Sequence, residues 1–297
     1  MKKAVIDLGT NTFHLLIVEL TGPKQFEEIY RERIYVRLAE GGIETIIPTA
    51  IERAENAMLF FSKKLKEYNC PTVKAIGTAA LRTASNGPDF IKKIKAETGI
   101  QIELIDGMEE ANLVYHGVRN CVAFDSENQL LIDIGGGSTE FIICNDKAVH
   151  WAQSYPIGVG VLYKKFHHSD PISTKEIANT QAHLEETLQP LFSKIKEYQP
   201  TVLTGSAGAF ETISAMIPHV KMTDHFHILK MEHFPPIRDF ILKASLAERM
   251  AHPNISEMRA EMIVVAVVLI QLVLEKTGIE QVFVSDYALK EGYFFSS

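Results

Sequence analysis

An α/β protein made of two copies of one strand–turn–strand unit is the architecture this sequence predicts, and three observations point to it. First, "AVIDLGTNTFHLLIVEL" near the start returns, 126 residues later, as "LLIDIGGGSTEF". Asp7, Gly9, Thr10, Asn11 and Thr12 occupy the positions of Asp133, Gly135, Gly136, Gly137 and Ser138. Second, strand-like and helix-like segments alternate after each copy, the pattern of α/β folds. Third, 297 residues exceed what one core usually holds, and a polar stretch, "AFDSENQ", lies near the middle. The expected division is therefore 1–124 and 125–297, a duplicated domain whose two Asp–Gly turns face each other across one cleft.

In order, residues 3–8 and 13–20 read as strands around the turn "GTNT", with a third strand at 26–36. Residues 49–68 carry apolar side chains at helical spacing behind a proline. A short buried strand at 72–78, a helix at 87–99 stopped by Gly99, a strand at 100–106 and a helix at 107–118 complete the first half. "GTAALRTASN" reads as a polar turn. The second half restarts with strands at 128–134, 139–144 and 147–153. Helices follow at 158–167 and, in one piece, 173–198. Residues 200–216 read as strand, glycine turn and helix. A helix-rich stretch at 230–277, a strand at 281–285 and a helix at 286–294 close the chain.

Composition narrows the functional classes. The net charge of −7 provides no basic field for a polyanion, and runs such as Lys63–Lys64–Lys66 sit beside acidic neighbours as solvated faces. No DNA partner is expected, and any anionic ligand must be held locally. Cys70, Cys121 and Cys144 form no CxxC pair, so neither a disulfide framework nor a zinc site follows. The start lacks an apolar leader segment, and the apolar run Met262–Leu274 is shorter than the ~20 residues a membrane span needs. A cytoplasmic protein without a membrane partner is the expectation.

The turns carry the chemistry. Glycine lets backbone approach a phosphate and aim N–H groups at it; carboxylates cannot bind phosphate, but can hold a cation that bridges to it. Asp133 and Glu140 are read as metal or water-positioning groups, with Asp7 in the same kind of role. Gly135, Gly136, Gly137, Ser138 and Thr139 are phosphate donors on one wall, and Thr10 and Asn11 on the other. Gly205, Ser206 and Gly208 follow a strand and open a helix, which suits a phosphate, a ribose or simple close packing. Glu109 and Glu110 open another helix, where either could serve only the helix dipole. Arg82 and Arg37 are candidate counter-charges, while Trp151 and His167–His168 read as packing and solvated loop.

These stretches resemble the exopolyphosphatase / guanosine pentaphosphate phosphohydrolase family, within the actin-like, sugar-kinase and heat-shock ATPase superfamily. "IDLGTNTFHLLI", "GTAALRTASN", "IDGMEEANLVYHGV", "IDIGGGSTEF" and "SDYALKEGYFF" look like the family motifs in order, across essentially the whole chain. The resemblance implies two ribonuclease-H-like (actin-like ATPase) domains, magnesium-dependent (Mg2+) release of a terminal phosphate from polyphosphate or guanosine pentaphosphate, and a homodimer. It places the catalytic base at Glu110 and a charge-neutralising role at Arg82. At "GSAGAF" it departs from the family, with Ala209 where a threonine is usual. The ending resembles that of the short members, for which weak, non-processive handling of long chains is expected. An ATP-dependent kinase of the superfamily and a non-catalytic nucleotide-binding scaffold are the alternatives.

Overall fold

In the computed structural model, residues 1–22, 25–122 and 124–296 are described. The first half contains β1 (Lys2–Leu8), β2 (Thr12–Gly22), β3 (Gln25–Tyr35), α1 (Pro48–Glu67), β4 (Thr72–Gly77), α2 (Ala79–Thr83), α3 (Gly87–Thr98), β5 (Ile102–Leu104) and α4 (Gly107–Arg119). Its strands form one sheet in the order β3-β2-β1-β4-β5. β1 runs antiparallel to β2 and parallel to β4.

The second half continues with β6 (Gln129–Ile134), β7 (Thr139–Cys144), β8 (Val149–Tyr155), α5 (Val159–Phe166), α6 (Thr174–Thr187), α7 (Gln189–Tyr198), β9 (Val202–Ser206) and α8 (Ala207–Met216). Then come β10 (His219–Thr223), β11 (Phe226–Leu229), a 3-10 turn (Met231–His233), α9 (Phe234–Lys243), α10 (Leu246–Ala251), α11 (Glu257–Ala260), α12 (Ile263–Thr277), β12 (Gln281–Ser285) and α13 (Leu289–Phe295). The second sheet is ordered β10-β11-β12-β9-β6-β7-β8. Both sheets thus start from an antiparallel strand–turn–strand with a parallel neighbour beside it, which is the duplication the repeated turn predicts.

Alternation along the strands decides which core each side chain enters. Ala4, Ile6 and Leu8 join the core beneath α1 and α3, whereas Val5 faces the opposite way. Leu130, Ile132 and Ile134 join the large core around α12, whereas Leu131 faces with Val5. That shared layer between the sheets contains α4 and α13, through Ala111, Val114, Val118, Leu289 and Phe294. The two helices cross at glycines: a Cβ on Gly117 would lie 2.1 Å from the Ala288 carbonyl oxygen, and one on Gly292 would lie 1.8 Å from that of Leu113. Nothing larger fits, so the crossing fixes both helices relative to the two sheets.

Several expected elements differ. The single helix at 173–198 is two, divided at Leu188, because Pro190 sits in the first turn of the next helix and lacks the N–H a continuous helix needs. The polar turn around Arg82 is the short helix α2. The closing helix starts at Leu289 rather than 286. The hairpin β10–β11, exposed along β10, was not expected, since polar side chains on β10 mask its period. Among the described residues no helix is long and apolar enough to cross a membrane. The apolar run at 262–274 falls mostly in α12, whose side chains from Ile263 to Ile270 are all buried.

Candidate active site

The two Asp–Gly turns meet edge to edge. Gly9 N donates to Thr12 O (3.1 Å) in the first, and Gly135 N donates to Ser138 O (3.0 Å) in the second. The second turn packs against the start of α5. Val159, Gly160 and Gly158 donate their amides to the carbonyls of Gly135, Gly136 and Gly137 at 2.9, 2.8 and 3.2 Å. With the carbonyls so engaged, the amides of Gly136 and Gly137 have no partner among the described residues, nor have those of Thr10 and Asn11. The buried Thr10 hydroxyl is also unpartnered. Free amides on both walls of one cleft form an anion cradle.

Three carboxylates line this cradle and a fourth lies buried behind it. Asp7 and Asp133 end β1 and β6 and line the cleft with Glu110. Glu140 starts β7 directly opposite Asp133 and is fully buried behind the turn. Burial raises all four acids. Asp7 rises to about 6 through burial, with Lys290 opposing and Asp133 adding repulsion. Glu110 is raised well above the ordinary range by burial, then by Glu140 and Asp7, with Arg82 opposing. Glu140 is raised by burial and by Asp133, with the Ser154 hydroxyl opposing. Asp133 is raised by burial and held back by the Ser206 hydroxyl, which donates to its Oδ1 at 2.8 Å. Ser154 donates to Glu140 Oε1 at 2.7 Å. Glu140 Oε2 and Glu110 Oε2 are buried without a hydrogen bond.

α4 separates the two neighbouring glutamates. Asp106 caps the helix, accepting from Met108 N and Glu109 N, and Glu109 Oε2 accepts from Asp106 N at 3.0 Å. Glu109 thus closes a capping box, while Glu110, about 100° further round, faces the cleft. Arg82 NH1 lies 3.8 Å from Glu110 Oε2. It lines a shallower depression on the far side of Gly137 and Ser138, with Met108 and Ser154.

Not every candidate reaches the cleft. The Thr139 hydroxyl donates to Ile157 O at 3.2 Å inside the protein. Gly205 is a packing glycine, since a Cβ there would lie 2.2 Å from the Phe210 ring. Ser206 serves Asp133. Gly208 does line the cleft, but beneath the Arg259 guanidinium: a Cβ would fall 0.9 Å from NH1. Arg37 pairs with Glu261 at 2.9 Å. Conversely, several wall residues had no role assigned from the sequence: His14 and Lys290, although they lie in quoted motifs, and Arg33, Glu211 and Arg259. Glu211 holds Arg33 (2.9 and 3.0 Å) and Arg259 (2.9 Å) together. A helical pattern puts Glu211 on α8 but does not reveal partners 178 and 48 residues away.

The donor set fits a magnesium ion. Among the described residues no three His, Cys, Asp or Glu side chains cluster tightly enough to hold a metal unaided. Magnesium keeps several waters and takes one or two carboxylates plus substrate phosphates. All-oxygen donors, mutually repelling acids at Asp7 and Asp133 and an unpartnered Glu140 oxygen match that requirement.

Comparison with known proteins places this fold and these motifs in one family. The model of the Ppx/GppA phosphatase family matches residues 16–297. The crystal structure of an exopolyphosphatase from Cytophaga hutchinsonii is 35% identical and superposes with a TM-score of 0.95, covering 100% of this chain and 97% of that one. A Ppx/GppA enzyme from Aquifex aeolicus is 25% identical with a TM-score of 0.81, covering 100% and 99%. A curated Haemophilus influenzae protein, provisionally named an exopolyphosphatase, is 26% identical over 295 residues, 99% of this chain and 90% of that protein.

Proposed function

The chain belongs to the Ppx/GppA phosphatase family, and we propose that it is a magnesium-dependent phosphohydrolase that removes the terminal phosphate from inorganic polyphosphate. The observation that carries this reading is the meeting of two amide-presenting turns beside three cleft-lining carboxylates, one of which, Glu110, has an unpartnered oxygen. Amides of Thr10, Asn11, Gly136 and Gly137 hold the terminal phosphates and fix their orientation, which supplies most of the rate in phosphoryl transfer. A water attacks the terminal phosphorus opposite the bridging oxygen, and Glu110 Oε2 accepts its proton. The bridging oxygen leaves on the shortened chain, so one water and one phosphoanhydride bond give orthophosphate and a chain one unit shorter. Arg82, beside Glu110, offsets charge on the terminal phosphate and opposes the rise that burial and the neighbouring acids impose on the base. Asp7, Asp133 and Glu140 would hold the magnesium ion directly or through water. When bound, the ion neutralises phosphate charge.

Guanosine pentaphosphate offers the same terminal anhydride and is the second substrate in this reading; the homodimer and cytoplasmic location implied by the family also belong to it. Purified protein is incubated with Mg2+ and either substrate, and released phosphate is measured with and without EDTA. Phosphate from polyphosphate, abolished by EDTA and restored by Mg2+, is expected. Release from neither substrate, or transfer from ATP to a small alcohol, overturns the reading. Elution as a single chain overturns the dimer.

A further inference from the structure

Lys290 has a buried stem, and its ammonium has no partner among the described residues. It sits in the first turn of α13, is 8% exposed and lines the cleft. Burying an ammonium is costly unless it is paired and hydrogen-bonded. The other cations around the cleft follow that rule: Arg33 and Arg259 pair with Glu211, Arg37 with Glu261 and Arg31 with Glu291. Among the described residues the Lys290 ammonium has neither an ion pair nor a hydrogen bond. Its placement is not slack, because α13 is clamped against α4 at Gly117 and Gly292.

Two cations bracket the carboxylates, Arg82 with partners and Lys290 without. Arg82 stands beside Glu110, where water attacks. Lys290 instead lines the cleft with Asp7, Asp133 and His14, whereas Arg82 lines the depression beyond Gly137 and Ser138. In-line attack places the leaving oxygen opposite the water, hence away from Glu110. We infer that Lys290 contacts the substrate on the leaving side, donating to the penultimate phosphate of the chain. The inference rests on the phosphohydrolase reading and adds to it a substrate-binding role for a residue of "SDYALKEGYFF" that the sequence left without one. An ammonium is suited to this place because it serves as a compact point charge for phosphate.

The test uses Lys290→Met, which keeps the length of the stem and removes the charge, and Lys290→Arg, which restores it. With saturating Mg2+ and polyphosphate, Lys290→Met should lower kcat/KM by about 10- to 100-fold, the value of a charged hydrogen bond. Lys290→Arg should recover most of it. Lys290→Gln takes the place of the methionine variant if that protein does not fold. Calorimetric titration of tripolyphosphate into Glu110→Gln, with and without Lys290→Met, reads binding apart from turnover and should show a loss of similar size. A kcat/KM within twofold of wild type overturns the inference and leaves the phosphohydrolase reading intact. So does a loss that arginine fails to rescue while tripolyphosphate binding is unchanged, because a packing role would behave that way. If wild type releases no phosphate, the parent reading fails, and the titration still decides whether Lys290 binds polyphosphate.

Discussion

The two Asp–Gly turns share a frame and divide the chemistry. Each closes with one amide-to-carbonyl hydrogen bond, and each begins with a buried strand that ends near an aspartate. The residue across the ladder differs. Asp7 lies opposite His14, and Asp133 lies opposite Glu140. His14 is held well below its usual pKa by burial first and then by Lys290 and Arg33, and its Nε2 lies 2.9 Å from the Thr12 hydroxyl. The first turn therefore pairs its carboxylate with a neutral ring, the second with another acid. The tips differ in the complementary sense: Thr10 and Asn11 bring side chains, and the second turn brings bare backbone. A Cβ on Gly136 would lie 2.7 Å from Asn11 Cγ and 3.0 Å from Thr10 Cβ. Duplication supplied one backbone twice, and mutual contact forced one copy to lose its side chains.

The largest expected effect tests the group that faces both turns. Glu110 feels Glu140 from the second turn and Asp7 from the first. Glu110→Gln keeps size and hydrogen-bonding reach but removes the proton acceptor. It should lower kcat by about 10²–10⁴-fold, with KM changed only slightly. Glu109→Gln, at a capping position, should leave kcat within a few-fold and cost at most about 1 kcal/mol. Steady-state kinetics of the two variants at saturating Mg2+ decide between them. A dead Glu109→Gln with an active Glu110→Gln would contradict the orientation of α4.

Acidity sharpens the comparison next. In metal-free protein burial, above all, pushes the Asp7 carboxyl up from its ordinary 3.8 to about 6. A carboxyl raised on folding contributes its stability fully below its unfolded pKa and loses it as pH rises through the folded one. Stability from Asp7 should thus fall between about pH 4 and pH 6, and Glu140, also raised, should extend the fall to higher pH. The Tm without metal should drop by a few degrees across that window. Added Mg2+, which favours the ionised acids, should reduce the drop. Asp7→Asn should flatten its acidic part. Scanning calorimetry from pH 4.5 to about pH 8 with and without Mg2+ checks this, and a Tm insensitive to Mg2+ at the upper end removes Asp7 and Glu140 from the metal assignment.

What could be read before any coordinates was local. The paired turns, the acidic start of the helix at Glu109 and Glu110 and the alternation of strands and helices depend on neighbours a few residues apart. Glu110 became separable from Glu109 only once α4 was set between two sheets. Lys290, His14, Arg33 and Arg259 owe their places to contacts across the cleft, and no period or spacing encodes them. Thr139 and Gly205 mislead for the opposite reason: their motifs suit phosphate, yet Thr139 serves Ile157 O and Gly205 admits Phe210. Arg82 was assigned to a turn because five residues, Ala79–Thr83, are too few to show a helical period.

The smallest effect isolates the contact between the turns themselves. A Cβ on Gly137 would lie 2.5 Å from Thr10 Oγ1 and 2.8 Å from Ala79 Cβ, whereas one on Gly135 would meet only Ser138 of its own turn, at 3.0 Å. Gly137→Ala should therefore destabilise by about 1–3 kcal/mol, as overpacking does. Thr10→Ala alone should be close to neutral, because it removes a buried hydroxyl that has no partner. In the double variant the lost hydroxyl makes room for the new methyl, so the cost should fall below the sum of the singles by at least about 0.5 kcal/mol. The remaining strain belongs to Ala79. Gly135→Ala should show no such relief with Thr10→Ala, because its clash is internal to the second turn. Urea unfolding of the two cycles measures both couplings. Additive costs at Gly137 would mean that the glycines answer to the ligand alone, and the first turn would lose its part in shaping the second.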